Sequence, residues 1–122
     1  MKNTDIILNE MVFDSEMIIE LEKAQAARSA GNEGMTRVCA RRAAGMAARD
    51  FLTHHGVRSR RDSAYDSLQK LTAFPGLPSD LKQAAVYLTL HVNAEFSLPD
   101  NIDLISEARK LIGGLSWTSP RR

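Results

Sequence analysis

Cysteine is nearly absent from this sequence, in which Cys39 is the single example. One thiol cannot form an intramolecular disulfide, so we expect the chain to work in a reducing compartment, the cytoplasm. Because Cys39 lies among alanines in a helical pattern, the sequence favours a small buried apolar side chain at this position over a reactive thiol.

Long apolar runs and strand signals are also missing. No stretch approaches the roughly 20 apolar residues that span a bilayer. Residues 1–13 contain short apolar runs separated by acids instead of the apolar region of a signal peptide. There is no Asn-Gly or Asp-Gly turn and no long alternating run of β-branched residues. We therefore expect no membrane contact and no β-sheet.

What is present suits one folded domain. The chain has 122 residues, of which 43% are hydrophobic and 25% charged, and both fractions are ordinary for a globular protein. The pattern divides the chain into an N-terminal segment at 1–13, a helical bundle at 14–116 and a tail at 117–122.

Charge is unevenly distributed although the net charge is +1. Residues 1–22 carry six acids and one base, residues 23–70 carry ten bases and four acids, and residues 71–122 carry five of each. The basic middle segment could attract an anionic partner. The alternative is intramolecular, with an acidic first helix lying against a basic second helix.

Helix signals predict an all-α, up-and-down bundle of four main helices and one short helix. The predicted N-caps are Asp14 or Ser15 for the first helix, Asn32 for the second, Asp62 or Ser63 for the third and Ser79 for the fourth. The first helix is predicted to end at Ser29, the second at His55 with Gly56 as the stop, the third at the turn at 74–78 and the fourth at 96. The fifth runs from Pro99–Asp100 to Gly113–Gly114. The residues expected to face the core are Met17, Ile18, Leu21 and Ala24 in the first helix, Ala64, Leu68 and Leu71 in the third, and Ile102, Ile105, Ala108, Ile112 and Leu115 in the fifth.

The fourth helix is apolar on two sides. One stripe consists of Leu81, Ala84, Ala85, Leu88, Val92 and Phe96, while Val86 and Leu90 project to nearly the opposite side. A helix with two apolar faces is central to a core or lies at an interface. We therefore predict a homodimer with Val86 and Leu90 at its interface.

The second helix combines small residues with arginines. Ala40, Ala44 and Ala48 are spaced for close helix packing. Its four arginines fall within an arc of about 140° and are Arg37, Arg41, Arg42 and Arg49. We predict that these four bind phosphate, and that Arg58, Arg60 and Arg61 of the following loop extend the basic surface. The alternative is a solvated face, and Phe51 is the one aromatic residue nearby for stacking on a base.

Three residues are candidates for catalysis. Arg49 and His54 have the spacing R-x4-H, in which a cation could stabilise a phosphorane-like charge while an imidazole moves protons. Helix geometry separates them by about 140° and roughly 7.5 Å along the axis, and a histidine at a helix end also complements the dipole. His91 forms a stripe with Tyr87 and Glu95 that offers too few ligands for a closed metal site. We expect neither a metal nor a cofactor.

The order of these segments resembles the HEPN (higher-eukaryote and prokaryote nucleotide-binding) domain family. The resemblance covers about 14–115 and rests on "ARRAAGMAARDFL", a central helix "LKQAAVYLTLHVNAEFSLP" that ends before "LP", and a last helix "DLISEARKLI". It implies a bundle of four long helices and a short one, usually dimeric.

Many members of that family are ribonucleases, often toxins paired with a nucleotidyltransferase antitoxin, whose R-x4–6-H motif lies around the fourth helix. Here that region has His91 but no arginine between Lys82 and Arg109, so the catalytic residues do not transfer. The resemblance implies the non-nuclease branch, whose members bind nucleotides or partner proteins. We expect a binding module for nucleotide, RNA or a cognate protein; the alternatives are a metal-independent ribonuclease and a structural subunit of a larger complex.

Overall fold

The computed structural model describes residues 15–90 and 102–118, with side chains up to Leu115 in the second range. Those ranges contain five helices and no strand, which confirms the all-α class. The helices are α1 Ser15–Ser29, α2 Glu33–His54, α3 Ala64–Thr72, α4 Ser79–Leu88 and α5 Leu104–Thr118. The predictions for residues 1–13, for the tail and for His91, Val92, Glu95 and Phe96 lie outside the described residues.

Residues 30–32 join α1 to α2, and Asn32 takes part in both helix ends. The Asn32 N–H donates to the Ala27 carbonyl at 2.8 Å, which ends α1, and the Asn32 side chain accepts from the Met35 N–H at 3.0 Å, which begins α2. Gly31 precedes it with φ +78°, a left-handed conformation that glycine adopts without steric cost. The predicted N-cap is confirmed, and α1 and α2 form a tight hairpin.

The end of α2 follows from the same chemistry. Gly56 has φ +82° and donates to the Thr53 carbonyl at 3.1 Å, while the Val57 N–H donates to the Leu52 carbonyl at 2.8 Å. These two bonds are those of a Schellman motif, and Val57 packs on the core beneath it. The predicted stop at Gly56 is confirmed.

The centre of the bundle is α2, which packs against α1, α3 and α5. Ala40, Ala44 and Ala48 are fully buried, as the small-residue row predicts. At Gly45, a side-chain Cβ would lie 2.6 Å from the Ala64 Cα, so α2 and α3 touch almost backbone to backbone. The larger core side chains around this row are Met17, Phe51, Leu52, Leu68, Leu71, Leu81, Leu88, Leu104, Ile105, Leu111 and Leu115.

Predictions at three places were wrong. Ile18 is 52% exposed, whereas Met17 and Ala24, predicted on the same face, are buried. Ser79 is the first residue of α4 instead of its cap, and α4 ends at Leu88 instead of continuing to 96. Gly113 and Gly114 lie inside α5.

Specific contacts lie at the places of the last two differences, one of them local and two of them between helices. At the end of α4 the Thr89 hydroxyl donates to the Ala85 carbonyl at 3.1 Å, and an arginine of α2 takes the Leu88 carbonyl. At Gly114 a Cβ would lie 2.9 Å from Leu81 Cδ1. This glycine therefore allows α4 and α5 to approach closely instead of ending the helix.

Asp103 begins α5 and ties it to α1. Its Oδ1 accepts from the Ile105 N–H at 3.1 Å and from Arg28 Nη1 at 3.0 Å. Burial acts to raise the pKa of Asp103, but hydrogen bonds from Arg28 and Ser106 outweigh it and lower the pKa. A lowered pKa stabilises the fold above the unfolded value of about 3.9, and that contribution is lost as the pH falls through the folded value.

We expect Asp103→Ala to lower the free energy of unfolding by about 1–2 kcal/mol at pH 7, since it removes both a cap and an ion pair. Asp103→Asn keeps a capping oxygen and loses the charge, so its cost should be smaller and should disappear at acid pH. Urea unfolding of both variants at pH 7 and at pH values below about 3.9 measures this. An Asp103→Asn cost that does not change with pH would contradict the role of the charge.

Candidate anion-binding site

Arg41 does not belong to an outward basic face. Its Nε donates to the Leu88 carbonyl at 2.7 Å and its Nη2 donates to the Leu90 carbonyl at 3.5 Å. Burial, followed by the charge of Arg37, lowers the pKa of Arg41. The predicted outward orientation is corrected: this half-buried guanidinium satisfies carbonyls at the end of α4.

Arg42 is outward, and it lies next to an acid of α1. Its Nη1 is 3.8 Å from Glu20 Oε1, and Lys23 Nζ is 3.4 Å from Glu20 Oε2. The expectation that the acidic first helix lies against the basic second helix therefore holds at this pair. Arg37 and Arg49 are half-buried on α2.

The loop after α2 forms an open depression of about 640 Å³. Its lining includes the last turn of α2, the loop itself and one residue of α3: Thr53, Gly56, Val57, Arg58, Ser59, Arg60, Arg61, Asp62 and Lys70. Arg58, Arg60 and Arg61 are exposed. Among the residues that the structure describes, none of these three guanidinium groups makes an ion pair.

Asp62 and Lys70 fix the shape of that loop. Asp62 Oδ2 accepts from the Ser59 hydroxyl at 3.0 Å and lies 2.8 Å from Lys70 Nζ, which also donates to the Arg58 carbonyl at 2.6 Å. The hydrogen bond from Lys70 is the main cause that lowers the pKa of Asp62, with help from Ser59 and from the charge of Arg49. The one carboxylate of the lining is therefore already held by Lys70 and Ser59.

This arrangement can attract an anion. Arg49 of α2 does not line the depression, but its charge is one of the causes that lower the pKa of Asp62, which does. Guanidinium groups present N–H donors in a planar fork that matches phosphate oxygens. The sequence analysis named the loop arginines only as an extension of the helix face, whereas in the structure they line the depression.

The histidines are held by the turn that ends α2. His54 Nδ1 lies 2.9 Å from the Asp50 carbonyl, and His55 Nδ1 lies 2.8 Å from the Phe51 carbonyl, so each Nδ1 carries the proton and donates it. The His55 ring also packs against Phe51 and Phe74 at centroid distances of 4.1 and 5.2 Å. Catalysis by Arg49 and His54 stays a prediction, and His91 lies outside the described residues.

Other predicted sites are placed as follows. Val86 and Leu90 are half-buried, and their role in a dimer stays a prediction. Cys39 is 1% exposed, which confirms its assignment to the core; burial, followed by Glu20, raises the pKa of its thiol. In residues 15–90 and 102–118 no group of three or more His, Cys, Asp and Glu could hold a metal ion.

No helix in the described parts of the chain is long and apolar enough to cross a membrane. No family model, no curated protein and no solved structure matches this chain. The resemblance to HEPN domains therefore stays a prediction from the sequence.

Proposed function

We propose that this chain is a small HEPN-like binding module that recognises the phosphate groups of a nucleotide or an RNA. The observation that carries the proposal is the group of three exposed arginines, Arg58, Arg60 and Arg61, around one depression. No carboxylate in the described residues pairs with them.

Phosphate is favoured over a carboxylate ligand by the number of cations. A phosphodiester carries one charge and a nucleoside triphosphate several, and each phosphate offers oxygens on several sides for separate guanidinium groups. Of the arginines predicted to bind phosphate on the helix face, Arg49 adds positive charge near this surface. Arg41 instead donates to a carbonyl of α4, and Arg42 pairs with Glu20.

The test is a double variant, Arg60→Gln with Arg61→Gln, titrated with ATP and with a short single-stranded RNA at low ionic strength. We expect the affinity for each bound probe to fall by about tenfold. For RNA, we also expect the slope of log affinity against log salt concentration to become less negative by about 0.7 for each lost phosphate contact. Fluorescence anisotropy measures both quantities.

The matched control is Lys82→Gln with Arg109→Gln, which removes the same charge at two exposed residues that do not line the depression. Equal losses in both doubles would contradict the site, since net charge alone would then account for binding. The absence of binding by the unaltered protein would contradict the proposed function itself. Incubating the same RNA with the pure protein tests the alternative of a ribonuclease, which requires cleavage products.

A further inference from the structure

The depression after α2 is lined by side chains that suit phosphate better than a base. In the described part of the chain its nine lining residues include three arginines and one lysine, but no aromatic ring. Proteins that bind an unpaired base commonly stack it on an aromatic side chain. The phosphates of a ligand therefore find partners in this depression, whereas its base finds no ring on which to stack.

The aromatic rings that are nearest along α2 pack inside the fold. Phe51 is 5% exposed, and its ring centroid lies 4.1 Å from that of His55 and 5.1 Å from that of Phe74. His55 also packs against Phe74, at 5.2 Å, and exposed His54 does not line the depression. Because Phe51 belongs to the hydrophobic core, turning its ring outward to stack on a base would disrupt that core.

Backbone donors at the glycine of the depression are used by the end of α2. The Gly56 N–H donates to the Thr53 carbonyl at 3.1 Å, and the Val57 N–H donates to the Leu52 carbonyl at 2.8 Å. Glycine-rich loops that hold nucleoside triphosphates instead direct successive N–H groups at the phosphates. The segment around Gly56 therefore does not form a cradle of that kind.

The unpaired charged donors of the depression are the guanidinium groups of Arg58, Arg60 and Arg61. The Asp62 N–H donates to the Ser59 carbonyl at 3.1 Å, so Arg60 and Arg61 occupy the two central positions of a β-turn. No carboxylate in the described residues pairs with these three groups, and like charges repel, which favours side chains that spread apart. Three separated cations match phosphates that are themselves separated.

We infer that the depression binds an RNA strand through successive backbone phosphates without distinguishing its bases, an inference that rests on the proposed function and selects RNA over a mononucleotide. Successive phosphates of RNA are separated by a ribose, so each one can accept hydrogen bonds from its own guanidinium group. Successive phosphates of a nucleoside triphosphate share a bridging oxygen and lie side by side. The bases of the bound strand stay in solvent.

The test compares ligands that differ in their bases or in the arrangement of their phosphates. The RNA ligands are octamers of A, of U and of C and an octamer without bases, within the range of about 4–16 nucleotides that single-strand sites contact. Because phosphate contacts carry no sequence information, we expect the four octamers to bind within about threefold of one another. ATP and tripolyphosphate should each bind at least about tenfold more weakly, the loss expected for one charge-assisted contact.

The salt dependence counts the phosphates that are contacted. For each octamer, we expect the slope of log affinity against log salt concentration to be about −2, the value for three phosphate contacts on a single strand. Fluorescence anisotropy of labelled octamers gives the affinities and the slopes. ATP and tripolyphosphate are measured as unlabelled competitors.

A variant that adds an aromatic ring tests where the strand lies. Thr53 is exposed and lines the depression, so Thr53→Trp supplies a ring for stacking. It should make the A octamer bind at least about fivefold more tightly than the octamer without bases, the lower end for stacking on one ring. Gln83→Trp adds the same ring at an exposed residue of α4 outside the lining and should create no such preference. Circular dichroism verifies the folding of both variants.

The possible failures are distinguishable. If ATP binds within tenfold of the octamers and Arg60→Gln with Arg61→Gln weakens it, the proposed function stands and the inference is wrong, because the site then accepts a mononucleotide. A spread of more than about threefold among the four octamers would also overturn it, as would a Thr53→Trp variant without a preference for the A octamer. If no probe binds, the proposed function fails together with the inference.

Discussion

Gly45→Ala is expected to lower the free energy of unfolding by about 2–3 kcal/mol, the upper part of the range for overpacked cores. In an exposed helix the same substitution stabilises by about 0.5–1 kcal/mol, because alanine loses less backbone entropy than glycine. At Gly45 the new Cβ would lie 2.6 Å from the Ala64 Cα and 3.3 Å from its carbonyl carbon. Both are backbone atoms, so α3 as a whole has to move away from α2.

Gly113→Ala is the matched control. Gly113 also lies inside a helix, but a Cβ there would meet nothing within 4 Å, so this variant should be slightly more stable than the unaltered protein. Chemical unfolding of both variants measures the opposite signs. If Gly45→Ala were neutral or stabilising, the close approach of α2 and α3 would be contradicted.

A double variant separates the contact of the two methyl groups from the contact of the helix backbones. Ala64→Gly added to Gly45→Ala removes the facing methyl group but not the Ala64 Cα, so we expect it to recover part of the lost stability and not all of it. Full recovery would mean that the two methyl groups, and not the helix backbones, set the distance.

Arg41→Met is expected to lower the free energy of unfolding by about 2 kcal/mol. Methionine preserves much of the aliphatic volume but cannot donate to the Leu88 and Leu90 carbonyls, which Arg41 reaches at 2.7 and 3.5 Å. Leaving a partly buried acceptor without its donor costs about 1–3 kcal/mol. The backbone of α4 beyond Ala85 should therefore loosen first, which amide hydrogen exchange at Leu88 and Thr89 can detect.

Arg37→Met provides the control for Arg41→Met. Arg37 lies one turn earlier on α2, and its charge acts on Arg41 as a repulsion. Its removal should change the free energy of unfolding by less than about 0.5 kcal/mol, as for most surface substitutions. Equal costs for both variants would contradict the specific role of Arg41.

Local chemistry made most of the fold predictable. The caps at Asn32 and Ser63 and the stop at Gly56 depend on residues two to four positions away, and all three are confirmed. The apolar spacing of α1, α3 and α5 similarly identified most of the core residues that these three helices contribute, but it missed Leu104 and Leu111. Such features are contained in a short window of sequence.

The wrong predictions concern contacts between distant segments. The inward orientation of Arg41 depends on carbonyls that are 47 and 49 positions later in the chain, and helical periodicity contains no information about them. Gly114 lies inside α5, where a Cβ would meet Leu81 of α4, but glycine at that place in the sequence is equally typical of a helix end. For the candidate site, the sequence supplied the arginines but not the Lys70 contact that shapes their loop.

The contact of Lys70 with Asp62 and the Arg58 carbonyl has a consequence for the energetics of recognition. A loop that is ordered by its own hydrogen bonds before a ligand arrives has already lost most of its backbone freedom. The conformational entropy lost on binding is then mainly that of the arginine side chains. Lys70→Met would restore the backbone freedom of the unbound loop, so that ligand binding would have to order it. The loop would then be weakened as a receptor even though each of its guanidinium groups remained in place.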